Sequence, residues 1–350
     1  MRARWGKSRN RPRCWLGVCR FTAVRAATLW VGLCFLAAAC APHIEPSGAD
    51  LGKPEIISQG YLTEDGVILP LRFWGPERPE AVILGLHGFG DYSNAFQAAG
   101  RRLAGHGLRL YAYDQRGFGG SPGRGYWHGA DRMIRDAFQA VGLVTRRHPD
   151  TPVYLLGLSM GGAVAMAAAA EQPDLPLEGL ILVAPAVWGR QYMPAYQREA
   201  LQWGARLVPW YPLSGGGFRI TPSDNQEMLR RLANDPRIMR RFRIDMLWGL
   251  ANLMDRAVAA APQLPAQSLF LAGMNDEIVP LAPTKSVLAR ARAAHLASVR
   301  VGLYEDGYHM LLRDRNGPAV IDDIAAWIAR PEAPLPSGAD IDWPTRLARR

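Results

Sequence analysis

Past residue 54 the chain alternates between short apolar runs and longer stretches with helical spacing of apolar residues. Ala81-Val82-Ile83-Leu84-Gly85-Leu86 carries no polar side chain, and Leu108–Tyr113, Val153–Gly157, Gly179–Ala184, Ser268–Ala272 and Ser298–Tyr304 are nearly as apolar. Runs of this length predict strands buried on both faces, and so a mostly parallel sheet with helices packed on either side. Helical spacing fills the intervals at about Asn94–His106, Asp131–His148, Met160–Gln172, Leu281–His295 and Ala319–Ala329. Two further strand-like runs, Glu55–Leu62 and Val67–Phe73, come first, joined across Glu64-Asp65-Gly66. An Asp-Gly pair between alternating runs signals a hairpin, expected to add antiparallel strands at one sheet edge.

One stretch breaks the alternation. Between Pro185 and about Gln263 no strand pattern is visible, only helical runs rich in Trp, Tyr, Met and Leu. So long an interval is not a plain connection. It predicts a helical cap, residues 185–263, inserted between two core strands and lying over their C-terminal ends. The core would then comprise residues 55–184 and 264–330. The segment 331–350, rich in Pro and charge, is expected to be a peripheral or disordered tail. No self-similarity at a fixed period marks a repeat protein.

With 350 residues, 49% of them hydrophobic, the chain can bury one large core and a smaller attached unit. The formal net charge of +10 suggests nucleic-acid binding until it is located. Residues 1–39 hold eight basic side chains and no acid, which leaves 33 basic against 31 acidic residues in the remainder. The folded part is close to neutral, and no nucleic-acid partner is expected. All four cysteines (Cys14, Cys19, Cys34, Cys40) lie in the first forty residues. The body therefore has neither a disulfide framework nor a thiolate metal site.

That basic segment precedes an apolar run, Ala26–Ala39, and then small residues ending at Cys40. Positive, apolar, small is the order of a secretory signal peptide, here residues 1–39, and the apolar run is short for a membrane span. Leu36-Ala37-Ala38-Ala39-Cys40 resembles a bacterial lipobox, with Ala37 where Leu is usual. Lipidated Cys40 would be the only thiol of the mature chain, and residues 40–54 read as a polar tether. The expectation is an exported lipoprotein anchored at a bacterial membrane surface and facing the periplasm. Ordinary cleavage after Ala39 is the alternative.

The sharpest chemical motif is Gly157-Leu158-Ser159-Met160-Gly161, G-x-S-x-G between a strand and an Ala-rich helix. A nucleophilic serine needs a tight strand-to-helix turn that lifts its oxygen above the sheet, with glycines letting the backbone crowd together. The helix starting at Met160 would point its positive end at developing negative charge. A serine hydroxyl also needs an aligned base. His309 follows the last predicted strand, on the same sheet edge as Ser159. His43 falls in the tether, His106, His148 and His295 at helix ends, and His128 in a loop. A buried carboxylate should orient the imidazole; Asp276 fits, with Glu277 and Asp306 as rivals, and the order Ser, Asp, His suits this fold. Oxyanion donors would be the N–H groups of Met160 and of Phe89, in His87-Gly88-Phe89-Gly90, with His87 bracing that loop. A catalytic His87 is the alternative. Asp114 and Arg116, in the glycine-rich turn Asp114–Ser121, are expected to pair and hold that loop, since the spacing of a phosphate loop is absent.

Together these segments, with Asp114-Gln115-Arg116-Gly117-Phe118-Gly119, Asn275-Asp276-Glu277-Ile278-Val279-Pro280 and Gly307-Tyr308-His309, resemble the monoacylglycerol lipase and lysophospholipase branch of the α/β-hydrolases, the serine aminopeptidase S33 or Hydrolase_4 group. The resemblance spans about Tyr61 to Arg330, and Leu158 stands where that group commonly has His. It implies the α/β-hydrolase fold with an inserted helical cap, and hydrolysis of single-chain lipid esters through an acyl-enzyme, with no metal or organic cofactor.

The cap points the same way. Trp188, Tyr192, Met193, Tyr196, Trp203, Leu207, Trp210, Tyr211, Met246, Leu247, Trp248, Leu250, Leu253 and Met254 form an apolar set suited to packing the cap and to an acyl-chain tunnel. Arg230, Arg231, Arg237, Arg240, Arg241 and Arg243 suit a solvated face or contact with anionic headgroups. Two other readings stand beside this one. A proline-releasing aminopeptidase would use cap carboxylates such as Asp224, Glu227, Asp235 and Asp245 to hold a substrate amine. A non-catalytic lipid-binding lipoprotein would keep the pocket and not the triad. For the leader, globomycin treatment should make an unprocessed precursor accumulate on an immunoblot; unchanged processing rules out the lipobox.

Overall fold

The computed structural model describes residues 42–214, 220–294 and 299–348. The leader 1–39, Cys40 and His295 lie outside the described residues. The first elements among the described residues are three short antiparallel strands, β1 (Glu55–Ile57), β2 (Gly60–Leu62) and β3 (Ile68–Leu69). The first run, expected as one strand, folds back before Gly60, whose φ of 152° brings a position for Cβ to 2.3 Å from the Leu69 carbonyl oxygen. Only glycine fits there. The Glu64-Asp65-Gly66 turn pairs β2 with β3, setting Tyr61 opposite Leu69.

β4 (Leu71–Trp74) leaves this small sheet for the main one. There follow β5 (Val82–Leu86), α1 (Gln97–Gly105), β6 (Arg109–Tyr113), α2 (Ala130–Arg147), β7 (Val153–Leu158), α3 (Met160–Glu171) and β8 (Gly179–Val183). The inserted segment carries α4 (Ala195–Leu207), β9 (Pro212–Ser214), α5 (Gln226–Asn234), β10 (Arg241–Arg243) and α6 (Ile244–Ala260). The chain ends with β11 (Ser268–Gly273), α7 (Leu281–Ala293), β12 (Arg300–Tyr304), α8 (Gly317–Ala329) and α9 (Trp343–Ala348). The seven-stranded sheet runs β12-β11-β8-β7-β5-β6-β4, parallel throughout except for β4, which pairs antiparallel with β6 at the edge.

Burial on both faces explains the unbroken apolar strands. Val82, Leu84 and Leu86 of β5 point into a core layer shared with α2, α3, α6 and α7, while Ile83 points into a second layer with α1 and α8. Helix α3 has no polar face. Met160 through Ala169 are all buried, and the small side chains let it press against β7, α2 and α6 at once.

Three further expectations need correction. The cap holds a strand pair, β9 with β10, that sets Phe242 opposite Leu213; three-residue strands carry too little periodicity to be seen in the sequence. The C-terminal segment is not a loose tail. Leu335, Ala339 and Leu347 are buried, and Leu303 N–H donates to the Ala339 carbonyl at 2.9 Å, so the segment covers the exposed edge of β12. Asp114 and Arg116 do not pair. Asp114 accepts from the backbone N–H groups of Ser93 (2.9 Å) and Gly120 (2.8 Å). Arg116 instead lies between Asp65 and Asp136, with Arg132 bonded to both carboxylates and to Glu64.

This buried charge cluster ties the N-terminal sheet to α2. Removing one partner strands uncompensated charge, so Arg116→Gln should cost about 3–5 kcal/mol in denaturant unfolding. Burial alone would raise the Asp65 carboxyl, but the Arg116 and Thr63 hydrogen bonds hold it down at about 2, below its ordinary 3.8. Its contribution is therefore complete above its ordinary value and lost as the pH falls toward 2. Asp65→Asn should flatten the acid limb of the stability profile; an unchanged limb would refute the assignment.

Candidate active site

Strand β7 ends at Leu158 and α3 begins at Met160, so Ser159 alone makes the turn. Its φ of 49° and ψ of −113° lie where a non-glycine residue is strained. The surroundings hold it there. Ser159 N–H donates to the Val183 carbonyl at 3.1 Å, and its own carbonyl accepts from Ala163 (3.1 Å) and Ala186 (2.9 Å). The neighbouring glycines are required by contact. A Cβ on Gly157 would fall 2.4 Å from the Gly161 carbonyl oxygen, and one on Gly161 only 2.1 Å from that of Leu86.

His309 and Asp276 come from the loops after β12 and β11, which are bonded to each other through Met274 N–H to Tyr304 and Asn275 N–H to Gly307, both at 2.9 Å. His309 Nδ1 donates to Asp276 Oδ2 at 2.8 Å. Asp276 Oδ1 accepts from the backbone N–H groups of Ile278 (2.8 Å) and Val279 (2.9 Å). Held on both oxygens, the carboxylate fixes the imidazole tautomer and leaves Nε2 with its lone pair. The rivals stand elsewhere. Glu277 accepts from Thr221 N–H in the cap at 2.7 Å, and Asp306 lines a different cavity with Ser337 and Arg346.

Ser159 and His309 line one cavity of about 570 Å³. The loop Gly88-Phe89-Gly90 runs beside the serine, since a Cβ on Gly88 would be 3.4 Å from Ser159 Cβ. The Phe89 ring is clamped between Phe118 (5.3 Å) and Phe242 of the cap (4.6 Å). Met160 opens α3, so its N–H has no acceptor within the helix. Of the two residues read as oxyanion donors, Met160 thus directly follows Ser159 in the chain, and Phe89 belongs to the loop beside it.

His87 lies behind this loop, fully buried. Its Nε2 accepts from Gln115 N–H at 2.9 Å and its Nδ1 faces the Gly88 carbonyl at 2.9 Å. Burial lowers its pKa and keeps it neutral, so it braces the loop. Of the remaining described histidines, His43 meets Glu45, His106 meets Asp322, and His148 meets the Tyr111 hydroxyl; none of these, nor His128, lines the cavity.

Two features were not anticipated. Arg313, four residues past His309, forms an ion pair with Asp91, which directly follows the Gly88-Phe89-Gly90 loop. The loop carrying the imidazole is thereby bonded to the loop beside the serine. Asp314 accepts from Ser223 Oγ in the cap (2.6 Å) and from Tyr308 N–H (2.8 Å), and its burial raises its pKa. With Met310 N–H on the Pro222 carbonyl (3.0 Å), the cap is strapped onto the His309 loop. The only sequence signal was proximity, an Asp and an Arg each a few residues beyond a motif.

Twelve of the fourteen apolar cap residues fall into three groups, Tyr192 and Trp248 being half-buried away from the cavity. Trp188, Met193, Leu247, Leu250 and Met254 line the cavity, and Met246 and Leu253 are buried in packing. Tyr196, Trp203, Leu207, Trp210 and Tyr211 face outward, with Tyr196 72% exposed.

The sequence profile described as "Hydrolase_4: Serine aminopeptidase, S33" matches residues 77–316. The chain is 28% identical over 280 residues to the monoglyceride lipase of Homo sapiens, covering 77% of this chain and 89% of that one. It is 26% identical over 269 residues to the monoacylglycerol lipase of Mycolicibacterium smegmatis, covering 75% and 93%. Among solved structures, the monoacylglycerol lipase of Paleococcus ferrophilus aligns with a TM-score of 0.63 at 23% identity, over 74% of this chain and 98% of that one. A soluble variant of the Saccharomyces cerevisiae monoglyceride lipase also aligns at 0.63, with 18% identity over 79% and 95%. These structural likenesses bear on the α/β-hydrolase fold alone.

Proposed function

We propose, from the premise that the chain belongs to the serine aminopeptidase S33 (Hydrolase_4) family, that it is a serine hydrolase cleaving carboxylic esters of single-chain lipids. The observation that carries this reading is one cavity lined by both Ser159 and His309, with His309 bonded to Asp276. Ser159 Oγ attacks the ester carbonyl as His309 Nε2 takes its proton. The oxyanion is met by the N–H groups of Phe89 and Met160, each donor being worth about 3–4 kcal/mol of barrier. The alcohol departs with the proton from His309, and water then cleaves the acyl-enzyme by the same path reversed. The similar monoglyceride lipases and the apolar cavity support an acyl chain as the group bound.

The aminopeptidase reading needs a carboxylate to hold a substrate amine. Asp91 is the only carboxylate among the described cavity-lining residues, and it is paired with Arg313. Asp224, Glu227, Asp235 and Asp245 do not line the cavity. Asp245 is paired with Arg243, and Asp235 accepts from the Tyr92 hydroxyl at 2.7 Å. A lipid-binding protein without catalysis would have no use for an imidazole oriented by a carboxylate held on both oxygens.

Protein lacking residues 1–40 should release fatty acid from 1-monoacylglycerol and cleave short p-nitrophenyl esters. Ser159→Ala should lower kcat roughly 10⁴- to 10⁶-fold and abolish labelling by a fluorophosphonate. Equal slow rates in wild type and variant would end the enzyme reading.

The outward-facing cap residues support a membrane surface as the place where substrate is collected. Tyr196, Ala200, Trp203 and Leu207 form one stripe along α4, continued by exposed Trp210, Tyr211, Leu213 and Ile220. Large apolar patches rich in Trp and Tyr suit the lipid interface. Gln197, Leu201 and Ile220 reach from this region into the cavity lining. Trp203→Ala with Trp210→Ala should weaken sedimentation with phospholipid vesicles at least tenfold while leaving p-nitrophenyl ester hydrolysis in solution near wild type. Undiminished vesicle binding would dismiss the stripe.

A further inference from the structure

The cap residues Thr221 to Asn225 leave the wall of the catalytic cavity at Ile220 and lead into α5. Each of them is hydrogen-bonded to a loop that carries Asp276 or His309. Thr221 N–H donates to the Glu277 carboxylate at 2.7 Å, beside Asp276. The Pro222 carbonyl accepts from Met310 N–H at 3.0 Å, beside His309. Ser223 Oγ donates to Asp314 Oδ1 at 2.6 Å, Asp224 Oδ1 accepts from Arg315 N–H at 2.8 Å, and Asn225 Nδ2 donates to the Arg313 carbonyl at 3.0 Å.

The backbone of the loop Tyr308–Arg315 depends on these contacts. Among the described residues, it is bonded to the rest of the chain only through Pro222, Asp224, Asn225 and Gly317 at the start of α8. The side chains add the His309–Asp276 bond and the Arg313–Asp91 pair. Within the loop, Asp314 closes the turn around His309. Its Oδ2 accepts from Tyr308 N–H at 2.8 Å, and its own N–H donates to the Met310 carbonyl at 3.0 Å. Ser223 is 0% and Asp314 4% exposed. Ser223 of the cap therefore meets the side chain that fixes the backbone on either side of the imidazole. Truncating Asp314 would take the acceptor from both Tyr308 N–H and the buried Ser223 hydroxyl.

We propose that the cap segment Thr221–Asn225 is a positioning element of the catalytic site, in which Ser223 and Asp314 together set the backbone that aims His309 at Ser159. The inference rests on the serine-hydrolase reading above and adds to it two residues that line no part of the catalytic cavity. Proton transfer needs the base within hydrogen-bond reach of the serine, and a misplacement of about one ångström costs roughly 100-fold in rate. The cap then has two tasks. Its apolar side chains wall the cavity, and its residues 221–225 shape the loop of the base.

The full processed chain and its variants are compared on p-nitrophenyl butyrate, with kcat expressed per serine titrated by a fluorophosphonate. Asp314→Ala should lower kcat roughly 100-fold and Ser223→Ala roughly tenfold, with KM within about twofold of wild type. Asp314→Asn should keep kcat within about threefold, because its amide still accepts from Tyr308 N–H and donates to Ser223 Oγ. The low-field proton of the His309–Asp276 hydrogen bond, followed by NMR, should persist in Asp314→Asn and broaden or vanish in Asp314→Ala. A purely structural role would reduce the number of titrated serines and leave kcat per serine unchanged; that result overturns the proposal. So does a change confined to KM, an equal loss in Asp314→Asn and Asp314→Ala, or an unaltered resonance in Asp314→Ala. If Asp314→Ala yields no folded protein, Ser223→Ala decides alone, and a kcat within about twofold of wild type dismisses the positioning role. A wild type that neither hydrolyses the ester nor takes the label removes the underlying reading. An active wild type with unmoved variants removes this inference only.

Discussion

The structure turns on the backbone at Ser159. A non-glycine residue held at φ 49° stores about 1–3 kcal/mol of strain, which persists only if the surroundings fix it. Here every part of the surroundings does so. The N–H of Ser159 is bonded to the last residue of β8 and its carbonyl to α3 and to the chain just beyond β8, and α3 packs so close that its first turn admits only glycine at positions 161 and 162. An apolar helix with small side chains can approach a sheet this closely, and in return the sheet and α6 must bury it entirely. The strained turn, the Ala-rich helix and the parallel strands are thus one arrangement.

Charge is confined with similar economy. Two clusters of buried or half-buried ions tie together segments far apart in sequence, and neither is a surface ornament. The Arg116 cluster joins the N-terminal hairpin to α2 across residues 65, 116 and 136. Asp91 and Arg313 join the loop beside Ser159 to the loop carrying His309. Because Asp314, next in the chain, also holds Ser223, the cap, the His309 loop and the loop beside Ser159 are bonded through adjacent residues.

Much of this was legible in the sequence, and the pattern of failure is informative. Val82, Leu84 and Ile83 point to alternate core layers, so their continuous apolar run encoded a buried parallel strand directly. The G-x-S-x-G turn was legible because close approach to Leu86 and Pro185 leaves no residue but glycine acceptable. Contacts between distant charged side chains were not. Nothing in the neighbourhood of Arg116 distinguishes Asp136 from Asp114 as its partner, since strand and helix geometry alone decides which is within reach. The C-terminal segment misled for a related reason. Its proline and charge suggest solvent, yet Leu335, Ala339 and Leu347 suffice to dock it on β12, where an open strand edge favours any cover.

The same side chains also order the surfaces by polarity. Along α4, Tyr196, Ala200, Trp203 and Leu207 face outward beside exposed Glu199 and Arg206, and Gln197 and Leu201, one step round the helix, line the catalytic cavity. Beyond that cavity, across Asp91 and Arg313, the lining becomes mixed in charge, with arginines and aspartates together. An apolar acyl chain matches the wall of the catalytic cavity. A peptide does not, because its polar amide groups recur at every residue and would meet the apolar wall unpaired. On the function proposed above, the apolar wall selects the substrate, whereas the triad geometry would serve any ester brought to it.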